Sequence, residues 1–456
     1  MELQLRNIGM IKEADIILDG LTLIAGENDT GKSTVGKALY SVVAGLNNAY
    51  KYNDLDNRTD IISNSIIIIN NLHNAVLIKL RDENSIIHTI YQKEQNNYDN
   101  INDFINDFIN NYIENFLDAD ITDKYNFKIF CDKLKEYELY DYLKKYINKL
   151  ETAFNNNTPD YKIKYSGIKN QIELEFIDSI HSFNTTKSNI SIIDNENYKI
   201  IDVNIENNKI DESVGIGNIE QKDITYIESP FVFYFQDVFD KYEHYFGIVD
   251  DEFEIKHRKS RFINSALLNR IDNLFVKLTY KKTINKNNNI SNSIASIIGG
   301  FAEYNKQNRK LLFKKNNNYI ELSNTAVGIK SFAIIDLLLK SGVFNDKHIL
   351  ILDEPEVHLH PKWQIEYAKL MVKMAEELDI QILINSHSPY FIEAIQKYSE
   401  KSEKIADKTN FYLSEKQDDG YAVIKNVNDD IESIYKTLAD AYRKLDEDTL
   451  WNESEK

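Results

Sequence analysis

The sequence predicts an α/β protein in which a parallel β-sheet alternates with crossover helices, split by a mainly helical insertion and joined by antiparallel strands. Three observations carry this expectation. A complete G-x-x-x-x-G-K-[ST] match at 26–33 stands between an apolar strand-like run at 21–25 and a helical segment. In the last third, short apolar runs alternate with longer segments of helical period, the pattern of a parallel sheet with helices between its strands. Between residues 47 and 165 the apolar spacing becomes that of packed helices.

Taken in order, Leu3, Leu5 and Ile8, then Ala14, Ile16 and Leu18, then Leu21, Leu23 and Ile24 alternate as strand residues do. A helix is expected at 33–44. Within 47–165, Ile101, Phe104, Ile105, Phe108, Ile109 and Tyr112 recur at helical spacing, and Tyr142, Leu143, Tyr146, Ile147 and Leu150 do so again. Each run covers about four or five turns, which suits a compact lobe and not a long coiled-coil arm. Strand-like runs return at 172–177, at Ile201, Val203 and Ile205, and at 224–227. Residues 262–280 read as helix, and 301–304, 310–313 and 319–322 as short strands, the last two closing a hairpin. A helix after Gly328, a strand at 348–352, a helix at 361–378, a strand at 381–384 and a helix from Pro389 follow. The Asn-rich segments 155–157 and 287–289 read as flexible loops.

The 456 residues, 42% hydrophobic and 28% charged, suffice for two or three domains and exclude a small disulfide scaffold or a wholly disordered chain. Lys and Arg number 54 against 72 Asp and Glu, a net charge of -18, which argues against a surface that coats nucleic acid or anionic membrane. Nucleic-acid contact is therefore confined to local patches. Cys131 is the single cysteine, so no internal disulfide or Cys-rich zinc site is available, as suits a reducing cytoplasmic setting. The first residues lack a secretory pattern, and the most apolar stretch, 61–80, is interrupted by Asn64, Asn70, Asn71, His73 and Asn74. A soluble cytoplasmic protein without a membrane span is expected.

The motif at 26–33 carries phosphate chemistry. Gly26 and Gly31 let the loop amides of Asn28, Asp29 and Thr30 curl around phosphates at a helix N-terminus. Lys32 neutralises the terminal phosphates, Ser33 offers a hydroxyl to magnesium, and Thr34 beside it completes the nucleotide-binding segment. The run 349–354 ends in Asp353 and Glu354 at the C-terminal edge of a buried strand, where parallel sheets bind ligands. Asp353 then holds the magnesium, and Glu354 orients or deprotonates the attacking water. One strand later His387 emerges at the same edge, either to sense the terminal phosphate or simply to cap and pack.

With GENDTGKST at 26–34, LILDEPEVHLHP at 350–361 and NSHSPYFIEAI at 385–395, the chain resembles the ABC-type ATPases of the RecF, SMC and OLD (overcoming lysogenisation defect) grouping, specifically the bacterial AAA_15/AAA_21-like proteins. The resemblance covers roughly 1–45 and 300–400. It implies an ABC-type ATPase head, with residues 1–46 as its N-terminal half, 47–165 as the helical insertion, 166–300 as a mixed β and helical part, and 301–456 as its C-terminal half. It implies a homodimer, or a larger assembly built from it, in which two heads sandwich two ATP molecules with Mg2+. A signature helix of one subunit then caps the nucleotide of the other, and the matching segment is 323–330. That segment departs from the LSGGQ form and keeps Gly328 and a nearby hydroxyl, Thr325; a plain helix cap is the competing reading. The likeness implies a bacterial anti-phage setting, in which the ATPase controls a nuclease or toxin partner. The alternatives are a RecF-like DNA-repair ATPase and a scaffold that binds ATP with negligible turnover.

Further readings compete on single features. His358 and His360 with Glu356 suit either a dimer-crossing loop or a metal site. Gln236 is the candidate glutamine for coupling the lobes, and Arg81 with His88 matches the spacing of a HEPN ribonuclease pair. The residues after Pro389 are too few for the Toprim nuclease domain of OLD proteins. Basic clusters at Lys256, His257, Arg258, Lys259 and Arg261, at Lys277, Lys281, Lys282 and Lys286, and at Lys306, Arg309, Lys310, Lys314 and Lys315 form either a phosphate-tracking groove or solvated faces.

Overall fold

The computed structural model describes residues 1–47, 49, 160–177, 180–182, 185–211, 215–216, 223–228, 230–235, 266–279, 288–305, 308 and 310–448. The helical periods expected between 50 and 159, Cys131, the Arg81 and His88 pair, Gln236 and the basic cluster at 256–261 lie outside them. Two compact units divide the chain: Met1–Asn48 with Lys164–Lys456, and Ala49–Ile163.

In the first unit, β1 (Glu2–Ile8) and β2 (Ile11–Ile17) form an antiparallel hairpin, and β3 (Leu21–Gly26) leads into α1 (Lys32–Asn47). After α2 (Asp160–Phe176) come β4 (Lys187–Ile193), β5 (Lys199–Glu206), β6 (Lys209–Ile210), β7 (Gly215–Ile216) and β8 (Ile224–Ile227). Then follow α3 (Ala266–Thr279), α4 (Asn288–Ile298), β9 (Phe301–Asn305), β10 (Lys310–Lys315), β11 (Asn318–Glu321) and α5 (Val327–Ser341). The chain continues through β12 (Ile349–Asp353), α6 (Pro361–Leu378), β13 (Gln381–Ser386), α7 (Pro389–Ser399), β14 (Thr409–Lys416), β15 (Ala422–Asn426) and α8 (Glu432–Asp448).

Among the described residues, twelve strands form one mixed sheet in the order β6-β5-β4-β1-β2-β15-β14-β3-β13-β12-β8, with β7 on β5. Its β14-β3-β13-β12-β8 half is parallel throughout, and β6, β5, β4, β1 and β2 pair antiparallel. A separate antiparallel sheet holds β11-β10-β9. This is the α/β class with antiparallel strands that the sequence predicts.

Alternation within the central strands divides the core in two. Leu350 and Leu352 of β12 and Ile382 and Ile384 of β13 pack with α5, α6 and α7, while Ile349, Ile351 and Leu383 face the side of α1. A strand covered on both faces reads as a nearly continuous apolar run, and β3 and β12 are buried throughout, with Thr22 and Asp353 as their polar positions.

Two local expectations fail. The run at 172–177, read as a strand from its alternating Ile, Glu, Leu and Glu, is the end of α2. Ile163, Gly167, Ile168, Gln171, Ile172 and Glu175 are among its buried residues, and their spacing follows a helix face. Asn288 and Asn289, read as part of a flexible loop, form the first turn of α4, whose apolar positions Ile290, Ile294 and Ile298 are buried along one face.

Candidate functional site

Strand β3 delivers the phosphate loop to the edge of the parallel half. Gly26 has φ 152° and a Cβ there would stand 2.6 Å from the Ser414 carbonyl oxygen of β14. Gly31 has φ 81°, and its Cβ would stand 2.8 Å from Cγ1 of Ile11. Between them, the Thr30 hydroxyl donates to the Glu27 carbonyl at 2.8 Å. The Ser414 hydroxyl donates to the Thr30 carbonyl at 2.6 Å, and Lys416 pairs with Asp29 at 2.8 Å. The loop is thus braced by β14 from outside as well as by its own bonds. Asn28 is exposed, and the Thr34 amide donates to the Gly31 carbonyl at 3.0 Å.

Lys32 is 5% exposed, and its ammonium donates to the carbonyls of Gly26 at 3.0 Å and Glu27 at 2.6 Å. Burial pulls its pKa down, and the carboxylates of Glu354, Asp353, Glu356 and Glu27 oppose that pull. A buried cation bonded only to carbonyls of the glycine loop can take anionic oxygens of a ligand in their place.

Asp353 collects three donors at the end of β12. Ser33 Oγ donates to its Oδ1 at 3.1 Å, Asn385 Nδ2 donates to the same oxygen at 2.9 Å, and the Tyr226 hydroxyl donates to Oδ2 at 3.0 Å. Glu354 follows with φ 50°, and its amide donates to the Asn385 carbonyl at 2.9 Å, so the left-handed turn is pinned to β13. His387 Nδ1 stands 3.4 Å from Glu354 Oε1. Behind them, Glu356 is 2% exposed and accepts from the Ser386 hydroxyl at 2.5 Å and the His387 amide at 3.1 Å. Burial pushes the Glu356 carboxyl up, and those two donors oppose it.

Lys32, Ser33, Asp353, Glu354 and His387 therefore stand around one edge of the sheet. Buried polar atoms are left there without a hydrogen-bond partner among the described residues: Glu356 Oε2, Asn385 Oδ1 and His387 Nδ1. The pairing of a hydroxyl with a carboxylate, next to these orphaned atoms and the lysine, fits magnesium, which takes one or two protein oxygens and completes its shell with water and nucleotide phosphates.

Thr325 and Gly328 lie at the start of α5, Thr325 in the turn before the helix. The Thr325 hydroxyl donates back to the Leu322 carbonyl at 2.8 Å, and Gly328 lies in the first turn of α5. A Cβ on Gly328 would stand 2.7 Å from Cζ3 of Trp363, so close packing on that indole is one reason for glycine. The metal reading of Glu356, His358 and His360 is not formed. His360 caps α6, its Nδ1 accepting from the Lys362 amide at 3.3 Å, and no cluster of three or more potential metal-ligating side chains exists among the described residues. Of the basic residues described, Lys277 bonds Asp223 and the Ile224 carbonyl, Lys310 pairs with Glu321, and Lys314 lies over the rings of Phe301 and Tyr319. The sequence reading missed Tyr226, Asn385, Glu356 and Ser414 as partners of the site. Asn385 and Glu356 sit inside segments it had singled out, whereas Tyr226 and Ser414 carry no local motif.

A phosphate loop and an acidic strand end joined at the edge of a parallel sheet define a P-loop nucleotide-binding protein. The chain belongs to the AAA_15 family of AAA ATPase domains, whose family model matches residues 1–392. Among curated proteins, an uncharacterized protein of Methanocaldococcus jannaschii, MJ1542, is 30% identical over 119 residues, 26% of this chain and 13% of that protein. The chain thus spans a small part of that relative's length. Solved structures similar to it include an SMC head bound to the C-terminal winged-helix domain of ScpA (11% identity, TM-score 0.44, covering 95% of this chain and 98% of that one). The SMC head domain from Thermotoga maritima also matches (10% identity, TM-score 0.37, covering 94% and 98%). No helix among the described residues is long and apolar enough to cross a membrane.

Proposed function

We propose that this ATPase-family chain binds and hydrolyses ATP with Mg2+ and works as a homodimeric switch, the sensor or regulatory ATPase of a bacterial anti-phage system that controls a nuclease or toxin partner. The observation that carries the ATPase reading is the Ser33–Asp353 hydrogen bond at 3.1 Å, which joins the phosphate loop to the acidic strand beside Glu354. The dimeric and defence parts rest on the resemblance of the motifs at 26–34, 350–361 and 385–395.

In this reading Lys32 exchanges its two carbonyl partners for phosphate oxygens, and the loop amides and α1 N-terminus hold the rest of the phosphate chain. Ser33 and Asp353 would hold magnesium, which would supply positive charge to the phosphates. Glu354, turned out of the strand end, accepts a proton from the attacking water, and His387 beside it contacts the terminal phosphate. Thr325 and Gly328 act on the nucleotide of the opposite subunit. The RecF-like alternative loses support where Lys277, Lys310 and Lys314 are engaged within the chain.

The test is the solution mass of Glu354→Gln with and without Mg-ATP, purified alone and together with the protein encoded beside it. A nucleotide-dependent dimer carrying that protein is expected. A variant that binds ATP and stays monomeric removes the switch, and Lys32→Ala with unchanged ATP affinity removes the nucleotide site itself.

A further inference from the structure

Beneath the candidate site runs a buried chain of side chains that the nucleotide chemistry does not itself require. Tyr226, on β8, is 3% exposed and is held on every side that the structure describes. Its hydroxyl donates to Asp353 Oδ2 at 3.0 Å. Its ring lies against α1, where a Cβ on Gly36 would stand 3.0 Å from Tyr226 Cε2, and it meets Tyr40 edge to face at 5.8 Å between centroids. The Arg270 guanidinium of α3 lies 4.9 Å from the ring centroid. Arg270 is fixed in turn by Glu228, at 2.7 Å, and by Glu175, its hydrogen-bonded partner on α2. Arg270 and Glu175 are both buried.

This arrangement leaves the Asp353 carboxylate little freedom. Oδ1 takes Ser33 and Asn385, and Oδ2 is occupied by a phenol that cannot retreat without displacing α1 or Arg270. With its ring enclosed by α1, Tyr40 and Arg270, the phenol has Asp353 Oδ2 as its hydrogen-bond acceptor. Burial opposes the Arg270 charge, but Glu175 and Glu228 more than restore it, and the cation stays in place against the ring. A buried cation of this kind is stable only while its carboxylate partners remain.

We propose that Tyr226 is a positioning residue for Asp353, and that Arg270, clamped by Glu175 of α2, sets where Tyr226 stands. The inference rests on the reading of Asp353 as a magnesium-binding carboxylate. Its further content is direction: the phenol turns Oδ2 away so that Oδ1 faces Ser33, and the position of α2 is felt at the metal carboxylate through two intervening side chains. Glu175 belongs to α2, so a shift of this helix biases metal binding through Arg270 and Tyr226. By reciprocity, metal and nucleotide bias α2 by the same free energy.

The test uses the full-length chain, with ADP and Mn2+ as probes. Mn2+ binding in the presence of ADP is followed by electron paramagnetic resonance, and ADP binding in EDTA is measured separately. Tyr226→Phe keeps the ring and removes only the hydroxyl. It is expected to weaken Mn2+ binding about tenfold, the lower end for partners that orient a metal ligand, and to leave ADP affinity in EDTA unchanged. Glu175→Gln is expected to weaken Mn2+ binding in the same direction. The two substitutions combined should be less than additive, because both act on one carboxylate through one path. Unchanged Mn2+ affinity in Tyr226→Phe overturns the positioning role, as does an equal loss of metal-free ADP binding, which marks general damage. Full additivity with Glu175→Gln overturns the link to α2. Failure of the wild-type chain to bind ADP is a different result, since it removes the nucleotide reading before this inference is reached.

Discussion

The Ser33 hydroxyl and the Asp353 carboxylate, 320 positions apart in the sequence, meet in a 3.1 Å hydrogen bond. The bond closes the site by joining the first turn of α1 to the end of β12, two elements held by opposite ends of the chain. It also brings together two side-chain oxygens that would suit a hard cation. Ser33→Ala should therefore lower affinity for Mg-ATP about tenfold and leave affinity in EDTA unchanged, because one oxygen donor is lost and the phosphate loop is not. Nucleotide titrations with and without Mg2+ check this, and an equal loss under both conditions would place the fault in the loop.

Ser414 braces that loop from a strand with no motif. Its hydroxyl donates to the Thr30 carbonyl at 2.6 Å, and its own backbone is opposite Gly26 in the β14–β3 register. Ser414→Ala should destabilise the protein by about 1 kcal/mol, the usual worth of one such bond, and loosen ATP binding several-fold. Thermal unfolding with and without nucleotide measures both effects. A loss of stability with no change in ATP affinity would show that the loop holds its shape without this bond.

The contrast between Ser33 and Ser414 shows what was legible in the sequence. The phosphate loop, the acid pair and His387 each sit where a strand ends, and the apolar runs before them identify those strands without knowledge of their neighbours. Strand β14, TNFYLSEK, is a central element buried at its first six positions, but Thr409, Asn410 and Ser414 interrupt its apolar character. Thr409 bonds back to the nearby Ile405 carbonyl, but Asn410 and Ser414 are satisfied by partners farther along the chain, Asn428 and Thr30. Only the folded register supplies them. The end of α2 was misread for a related reason. Ile172, Leu174 and Phe176 alternate with Glu173 and Glu175, so the local pattern is that of a strand. Glu175 is nevertheless a buried residue, made so by Arg270 of α3, and a buried carboxylate paired across two helices leaves no periodic trace. Tyr226 likewise looked like one more apolar position of β8, and its hydroxyl acquires meaning only beside Asp353.

Gly328 separates two explanations of a glycine at a helix start. Its absent side chain admits Trp363, whose indole also meets Phe332 edge to face at 5.6 Å. If packing is the reason for glycine, Gly328→Ala should cost about 1–3 kcal/mol, the range for overfilling a packed interior, and the cost should largely vanish when Trp363 is replaced by Leu. Chemical denaturation of the two single variants and the double variant gives the coupling. Normal stability of Gly328→Ala with loss of ATP-dependent dimerisation would instead assign the glycine to the nucleotide of the opposite subunit.

His348 provides a pH prediction whose sign follows from its burial. The imidazole is fully buried at the start of β12, with Nε2 at 3.0 Å from the Thr225 hydroxyl, Nδ1 at 3.5 Å from Asp223 Oδ2 and its ring against Phe344. Lys277, bonded to Asp223 and Thr225, is the nearby cation. Burial pulls the His348 pKa down, Lys277 adds to that, and Asp223 works against both. The folded state therefore keeps His348 neutral to lower pH than the unfolded chain, in which the ring takes up its proton near pH ~6.5. In the window from that value down to the folded pKa, the unfolded state binds more protons, so the His348 contribution is intact at higher pH and is lost as pH falls. His348→Gln keeps a polar group that can bond Thr225 and cannot titrate. The stability of the wild-type chain relative to this variant should fall on acidification from about pH 7 to pH 5. Parallel stability curves over that interval would mean that His348 changes protonation equally in both states and that its burial is not what fixes its charge.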